Sequence, residues 1–170
     1  DFVKKMNQKA AELGMKNTHF VNCCGLDDDA HLTTARDVAV MSREILKNHP
    51  QIHEYCTIWM ENIVHTTARG DFEFGLSNTN NLIKQYEYAT GLKTGYTSVA
   101  GFCVSASAKK DNIELVAVIM GGADSKSRFQ DAITLLNTRC ARCSLSQDTD
   151  PVPLPKLPVR GGVADTVTLK

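Results

Sequence analysis

The sequence has no excess of charge of either sign. Its 170 residues include 19 Lys and Arg against 19 Asp and Glu, scattered along the chain. A nucleic acid or an anionic membrane surface would require a clustered basic face, which this distribution does not supply. We therefore expect no nucleic-acid partner.

Long apolar runs are missing as well. The stretch 115–120 is among the longest, whereas a helix that crosses a bilayer needs about 20 residues. No charged-then-apolar leader opens the chain. The first residue is Asp1, inside a helical pattern, so we expect polypeptide upstream of it. Membrane association is expected to depend on segments outside these 170 residues.

Metal-ligand spacings are also absent. The five His include no H-E-x-x-H motif, and the one i, i+4 pair, His49 and His53, is interrupted by Pro50. We expect neither a metal ion nor a cofactor.

The six Cys leave two interpretations open. In the first, the fold joins two close pairs into a four-thiolate zinc site. In the second, Cys56 and Cys103 are small core residues and the other thiols are reduced and incidental. We favour the second, because the zinc interpretation lacks a second C-x-x-C spacing. The two close pairs are Cys23-Cys24 and Cys140-x-x-Cys143.

Apolar spacing predicts an α/β domain in which helices pack on an antiparallel sheet. Thr34 and Asp37 resemble a capping box, and Ser125 is the expected cap of the last helix. The strand at 114–120 is nearly all apolar, so we expect it to be central and buried on both faces. Helices are predicted over 2–13, 35–47 and after 125, a hairpin over 57–66 and 71–76 with its turn at 68–70, and neighbouring strands over 102–108 and 114–120.

The composition changes at Asp150. Four prolines between 151 and 158 predict a stiff extended linker, and 159–170 has the turn and alternation of a strand or two. We therefore divide the chain into a main domain, 1–149, and a linker with the start of a small all-β second domain, 150–170.

The segment Gly91-Leu92-Lys93-Thr94-Gly95-Tyr96-Thr97 precedes a strand-like run, 101–108. A Lys-Thr-Gly triplet in this context is typical of an edge strand that lines an acyl-transfer site. Taken alone, the triplet is common turn material, so its significance depends on the surrounding sequence.

The surrounding sequence resembles a known family. Residues 2–136, about four-fifths of the chain, are similar to the C-terminal part of the penicillin-binding domain of serine-type D-alanyl-D-alanine carboxypeptidases, the low-molecular-mass penicillin-binding proteins. The residues that carry the resemblance are Phe2 to Asn7, Leu13 to Phe20, Gly25-Leu26-Asp27, Thr34-Ala35-Arg36-Asp37, Asn78-Thr79-Asn80, Gly91 to Thr97 and Gly101-Phe102.

The resemblance implies a β-lactamase/transpeptidase-like fold that is incomplete at its N-terminus. In the family, the S-x-x-K and S-x-N motifs lie upstream of the matching segment. We expect neither motif in this chain, and we therefore expect the chain alone to be inactive. The missing N-terminal part of the same protein becomes an expected partner, because it would supply sheet strands and the helix with the nucleophile.

The resemblance also implies roles for five residues. Lys93 and Thr94 would hold the substrate carboxylate, and Gly95 would let the ligand backbone lie close to the strand. The backbone N–H of Tyr96 would donate to the oxyanion. Arg128 would present a planar fork to the same carboxylate.

The implied activity is removal of the terminal D-alanine from peptidoglycan stem peptides through an acyl-enzyme, with acylation by penicillin and other β-lactams. The implied location is extracytoplasmic, in a bacterial cell envelope. Two alternatives stay open at this point: a catalytically inactive module that binds peptidoglycan or β-lactams, and a β-lactamase-like hydrolase.

Overall fold

The computed structural model describes residues 1–143 and the backbone of two short strands beyond them. Helices flank strands along the whole described part, as the apolar spacing predicts. In chain order the elements are α1 (Phe2–Glu12), α2 (Ala35–Asn48), α3 (Ile52–Cys56), β1 (Met60–Thr67), β2 (Gly70–Ser77), α4 (Leu82–Gln85), β3 (Ala89–Thr97), β4 (Gly101–Lys110), β5 (Ile113–Gly122), α5 (Ser125–Cys140), β6 (Leu157–Pro158) and β7 (Thr166–Val167).

The main sheet is antiparallel, with strand order β3-β4-β5. β4 and β5 form a hairpin whose turn residues, Asp111 and Asn112, both have positive φ, 50° and 63°. Such a turn matches the twist of the flanking strands, and Asp and Asn tolerate the left-handed region. Both strands were predicted, and both extend further than the apolar run alone indicated.

The predicted central position of β5 is wrong. β4 lies in the middle, and within the described residues β5 forms one edge of the sheet. Only Ala117 of β5 is buried, whereas β4 is buried from Val104 to Ala108. The apolar character of β5 shows that its surface is suited to burial, but it does not identify the neighbour that covers it.

Helices cover both faces of the sheet. On one face, Phe129 and Leu136 of α5 join a core with Val104 and Ala106 of β4. On the other face lies α2, where the hydroxyls of Ser42 and Ser105 approach to 2.7 Å. The predicted α/β class is confirmed.

The helix termini follow the sequence signals in part. α1 ends one residue before the expected 13, and Gly14 follows with φ of +72°. At the start of α2, the Thr34 hydroxyl accepts the N–H of Asp37 at 3.2 Å. The predicted capping box is only half formed, because the Asp37 carboxylate accepts instead from the N–H of Asn17 and the hydroxyl of Thr18.

The predicted cap of α5 is wrong by one residue. Asp124 accepts the N–H groups of Lys126 and Ser127, both at 2.7 Å, and the Ser127 hydroxyl completes a capping box. Ser125 is the first helical residue. A carboxylate competes better than a hydroxyl for these donors because its hydrogen bonds are charge-assisted.

The predicted hairpin between α3 and α4 is confirmed with shifted bounds. β1 begins at Met60, three residues later than predicted, and it follows the short helix α3 at 52–56, which the sequence analysis did not predict. β1 and β2 pair along their whole length, with Ile63 opposite Phe74, and every residue of both strands is exposed.

β6 and β7 pair antiparallel, Leu157 opposite Val167. The predicted linker and the division at residue 150 fall largely outside the described residues and stay predictions. In the part of the chain that the structure describes, no helix has the length and apolar character to cross a membrane.

Candidate functional site

The Lys-Thr-Gly triplet lies on β3, at the other edge of the main sheet. Beside it is an open cleft of about 640 Å³. All five sequence-predicted site residues line this cleft, which brings the first turn of α5 together with β3. The lining residues are Cys24, Gly25, Thr79, Lys93, Thr94, Gly95, Tyr96, Thr97, Ala100, Cys103 and Arg128.

Lys93 and Thr94 point to different surroundings. Lys93 is exposed, and its ammonium donates to the carbonyl of Thr94 at 2.6 Å. Thr94 is 7% exposed, and its hydroxyl lies 2.6 Å from that of Thr79. The site therefore offers a solvent-exposed charge beside a buried hydroxyl that is in hydrogen-bond contact with Thr79.

Gly95 and Tyr96 leave the strand accessible from solvent. A Cβ built on Gly95 would meet no atom within 4 Å. Tyr96 is 59% exposed, and its ring lies against Phe102 with centroids 4.3 Å apart. Because the strand carries no bulk at Gly95, an extended ligand has room to approach the backbone there.

Arg128 is buried and already engaged. One of its terminal nitrogens donates to the carbonyls of Gly95 and Cys103, both at 3.1 Å, and the other donates to the hydroxyl of Ser125 at 3.3 Å. Burial lowers the pKa of this guanidinium from its ordinary value. The Nε of Arg128 is buried and has no hydrogen-bond partner within residues 1–143.

The favoured interpretation of Cys56 and Cys103 as core residues is wrong in part, because both are only half-buried. Both cysteines line the same cavity as Lys93. Burial raises the pKa of the Cys56 thiol, and the nearby Lys93 charge opposes that rise. The four-thiolate zinc site does not assemble, since residues 1–143 bring no three metal-ligating side chains together.

An apolar cavity of about 380 Å³ adjoins Lys93 from the opposite side. It lies between α2 and α3 and the main sheet, and residues from Leu92 to Gly95 form part of its wall. Its remaining lining comes from Val38, Met41, Ser42, Ile45, Ile52, Cys56, Cys103, Val104, Ser105, Val118, Ile119 and Met120.

Residues 1–124 match the sequence profile of the D-alanyl-D-alanine carboxypeptidases. The chain belongs to this family. It is 42% identical over 137 residues to the D-alanyl-D-alanine carboxypeptidase DacF of Bacillus subtilis, a match that covers 81% of this chain and 34% of the relative. With DacD of Escherichia coli the identity is 37% over 136 residues, covering 79% and 33%.

Solved structures of a DD-transpeptidase and of a penicillin-binding protein share the fold. The Streptomyces K15 DD-transpeptidase superposes with a TM-score of 0.77 at 26% identity, over 82% of this chain and 54% of that one. The penicillin-binding protein D2 of Listeria monocytogenes, in its cefotaxime-bound form, gives 0.69 at 31% identity, over 81% and 54%. The resemblance and the β-lactamase/transpeptidase-like fold are confirmed.

The chain spans about a third of the length of the curated relatives it matches. The match covers the C-terminal part of their catalytic region.

The expectation that no S-x-x-K spacing occurs is wrong. Ser107 and Lys110 have that spacing at the end of β4. On a strand, residues three apart point to opposite faces, so the two side chains do not meet. Ser107 is fully buried with its hydroxyl 2.8 Å from that of Thr90, and the Lys110 ammonium lies over the ring of Tyr88. The pair therefore has none of the geometry of a nucleophile and its base.

Two site features escaped the sequence analysis. Thr79, which lies between two asparagines of the family-like Asn78-Thr79-Asn80 run, orders the Thr94 hydroxyl. Asn78 holds the run by donating to the carbonyls of Cys56 and Ile58. Cys24 and Gly25 line the cleft from a loop near the N-terminus, and only the motif Gly25-Leu26-Asp27 signalled that loop.

Proposed function

We propose that this chain is part of a serine-type D-Ala-D-Ala carboxypeptidase that removes the terminal D-alanine from peptidoglycan stem peptides through an acyl-enzyme. One observation carries the proposal: the Lys-Thr-Gly triplet lies on an open sheet edge beside a solvent cleft. Family membership supports the same reaction, since the matched relatives are D-alanyl-D-alanine carboxypeptidases.

The proposed chemistry divides the work between this chain and an upstream segment. An upstream Ser attacks the carbonyl between the two D-alanines, the terminal D-alanine leaves, and water hydrolyses the ester. The Ser and Lys of the S-x-x-K motif, and the S-x-N motif, lie outside these 170 residues. Alone, the chain contains the edge strand that binds the substrate, but it does not form a covalent bond with the substrate.

The residues of this chain bind the substrate and orient it for attack. Lys93 supplies the positive charge for the free carboxylate, and the Thr94 hydroxyl adds a directed hydrogen bond. The main chain of β3 pairs with the extended stem peptide, as an open strand edge allows. The N–H of Tyr96 is one oxyanion donor, and the N–H of the upstream Ser is the other.

Arg128 is proposed to reach the substrate carboxylate. Arg128 lines the cleft, and its guanidinium donates to the carbonyl of Gly95, which is part of the Lys-Thr-Gly triplet. Substrate binding would replace one of these carbonyl contacts by a charge-assisted, bidentate contact.

The proposed partners are a stem peptide that ends in D-Ala-D-Ala, β-lactam antibiotics, and the N-terminal part of the same protein. Structures of Listeria penicillin-binding protein D2 hold cefotaxime and ampicillin, which supports β-lactam binding by this relative's fold. Peptidoglycan lies outside the cytoplasmic membrane, so the proposed location is the cell envelope.

Two measurements test the proposal on the complete gene product. A fluorescent penicillin is expected to label it covalently and not to label the 170-residue chain, and a peptide ending in D-Ala-D-Ala is expected to lose D-alanine. Binding without labelling would instead identify a catalytically inactive module. Rapid turnover of penicillin without D-alanine release would identify a β-lactamase-like hydrolase.

A further inference from the structure

The strand that carries Lys93 contains an irregularity three residues before it. Ala89 lies opposite Ala108, whereas Gly91 lies opposite Ser107. Thr90 is therefore an extra residue on β3 with no partner on β4, which is the defining feature of a β-bulge.

Side chains, not the strand ladder, hold this extra residue. The Thr90 hydroxyl donates to Oε1 of Glu114 at 3.1 Å and lies 2.8 Å from the Ser107 hydroxyl. Because a hydroxyl has one proton and that of Thr90 goes to the carboxylate, Ser107 is the donor to Thr90. Ser107, Thr90 and Glu114 thus form a directed chain of hydrogen bonds from β4 through β3 to β5.

His53 of α3 closes the same cluster from above the sheet. Its Nε2 lies 3.3 Å from Oε1 of Glu114, and its Nδ1 lies 3.4 Å from the carbonyl of Thr90. The imidazole is partly buried at this place. Both the side chain and the main chain of Thr90 are therefore in contact with the cluster.

The position of the bulge decides where the triplet points. With the extra residue at Thr90, Lys93 lies opposite Ser105 and Thr94 lies opposite Val104. If the bulge lay beyond Lys93, the register at Lys93 would shift by one residue, and each side chain there would point to the opposite face of the sheet. The Lys93 side chain would then lie on the face of Val104, and the Thr94 side chain would point away from Thr79. Nothing else within residues 1–143 bonds the side chain at the bulge.

We propose that Thr90, held by Ser107 and Glu114 and covered by His53, is a positioning residue that fixes the register of the Lys-Thr-Gly strand. This inference rests on the proposed function for its effect on acylation. Its effect on the strand itself does not depend on any activity.

The test compares two substitutions at one site in the complete gene product. Thr90→Val removes the hydroxyl at nearly constant shape, and Thr90→Ser keeps it. Thr18→Val is the matched control, because it removes a hydroxyl that likewise donates to a carboxylate, that of Asp37, and lies 2.9 Å from a second hydroxyl, that of Thr33, while none of these three residues belongs to the main sheet.

The first readout is amide hydrogen exchange of the segment 90–97. Thr90→Val is expected to exchange about tenfold faster there than the wild type, the effect of losing a hydrogen bond to a charged acceptor. Thr90→Ser and Thr18→Val are expected to protect the segment as the wild type does. Equal protection in Thr90→Val would overturn the inference, whatever the protein's activity.

The second readout is the rate of acylation by a fluorescent penicillin. Thr90→Val is expected to be acylated about tenfold more slowly, with recovery in Thr90→Ser. An unlabelled wild type would refute the proposed function, while the exchange experiment would still decide the positioning role. A labelled wild type and an equally fast Thr90→Val would refute the positioning of the triplet.

Discussion

Gly91 and Gly95, both on β3, differ in whether the protein's own structure would tolerate a side chain at their position. Gly91 has φ of +150°, and a Cβ there would lie 3.0 Å from Cβ of Cys56 and 3.4 Å from the Ser107 hydroxyl. Gly95 has neither constraint, since nothing approaches within 4 Å of its Cβ position. The first glycine is required by the packing of α3 on β3, and the second is required only if a ligand lies against the strand.

Alanine substitutions separate these two reasons. Gly91→Ala is expected to lower the free energy of unfolding by about 1–3 kcal/mol, because it combines backbone strain with a clash against α3. Gly95→Ala is expected to leave the melting temperature near that of the wild type but to slow acylation by penicillin. Thermal melting and a labelling time course measure both effects. Equal melting of the two variants would contradict the distinction.

Lys93 is expected to matter for catalysis and not for folding. Among residues 1–143 its ammonium makes one hydrogen bond, to the carbonyl of the next residue, and the side chain is exposed. In the complete enzyme, Lys93→Ala should lower kcat/KM by about a hundredfold, the effect of losing a charge-assisted contact of about 3 kcal/mol. The melting temperature should change little.

Lys84→Ala is the matched control for that measurement. Lys84 is a lysine of α4 whose ammonium lies 3.7 Å from the centroid of the Trp59 ring, and it does not line the cleft. Its loss should leave kcat/KM unchanged. A Lys93→Ala enzyme with normal turnover would refute the assigned role.

At the scale of elements, α5 joins the site to the core, and its first turn depends on Asp124. The N–H groups of Ser127 and Lys126 donate to this carboxylate and lower its pKa from the ordinary value of 3.8. A lowered folded-state pKa means that the stabilisation is fully present above 3.8 and is lost as the pH falls through the lowered value.

Asp124→Asn keeps a capping oxygen and removes the charge, so it isolates this pH dependence. The wild type is expected to melt at a higher temperature than Asp124→Asn at neutral pH, and the difference should disappear as the pH falls below 3.8. Melting curves of both proteins across the acid range give the measurement. Asp131→Asn, the same change later in the helix, is the control. A difference that does not vary with pH would contradict the charged cap.

The sequence indicated these elements with different success. α1, α2 and α5 were predicted because an apolar stripe and a capping residue depend only on neighbours in the chain. The helix α3 was not predicted, because its five residues are too few to show the apolar periodicity of a helix. The pairing of β5 with β4 was predicted correctly, but β5 was placed at the centre of the sheet and not at its edge, since strand order depends on partners that are far away in sequence.

The same limit applies to the site. Lys93, Thr94, Gly95 and Tyr96 are consecutive, so one motif located all four. Their supports come from distant segments: Thr79 holds Thr94, and the contact of Glu114 with Thr90 crosses the whole sheet. Such contacts follow from strand register, and the bulge at Thr90 has no sequence signal of its own.

At the scale of the molecule, the two sheet edges differ in their surroundings. The β3 edge faces the solvent cleft, where the open strand leaves room for an extended ligand. The β5 edge has no partner strand within the described residues, and next to it the apolar cavity between α2 and the sheet is open. An unpaired apolar edge beside an uncovered apolar surface favours association with another chain.

The isolated 170-residue chain is therefore expected to self-associate, and sedimentation should show species heavier than the monomer. A substitution at Met120 tests whether this surface causes the self-association, because Met120 is 40% exposed on β5 and lines the cavity. Met120→Lys should shift the population towards monomer, since a charge on a strand edge opposes pairing. Val99→Lys, at a residue that is 81% exposed in the loop between β3 and β4, should not. A monomeric wild-type chain that unfolds cooperatively would show that the domain closes its core without a further strand.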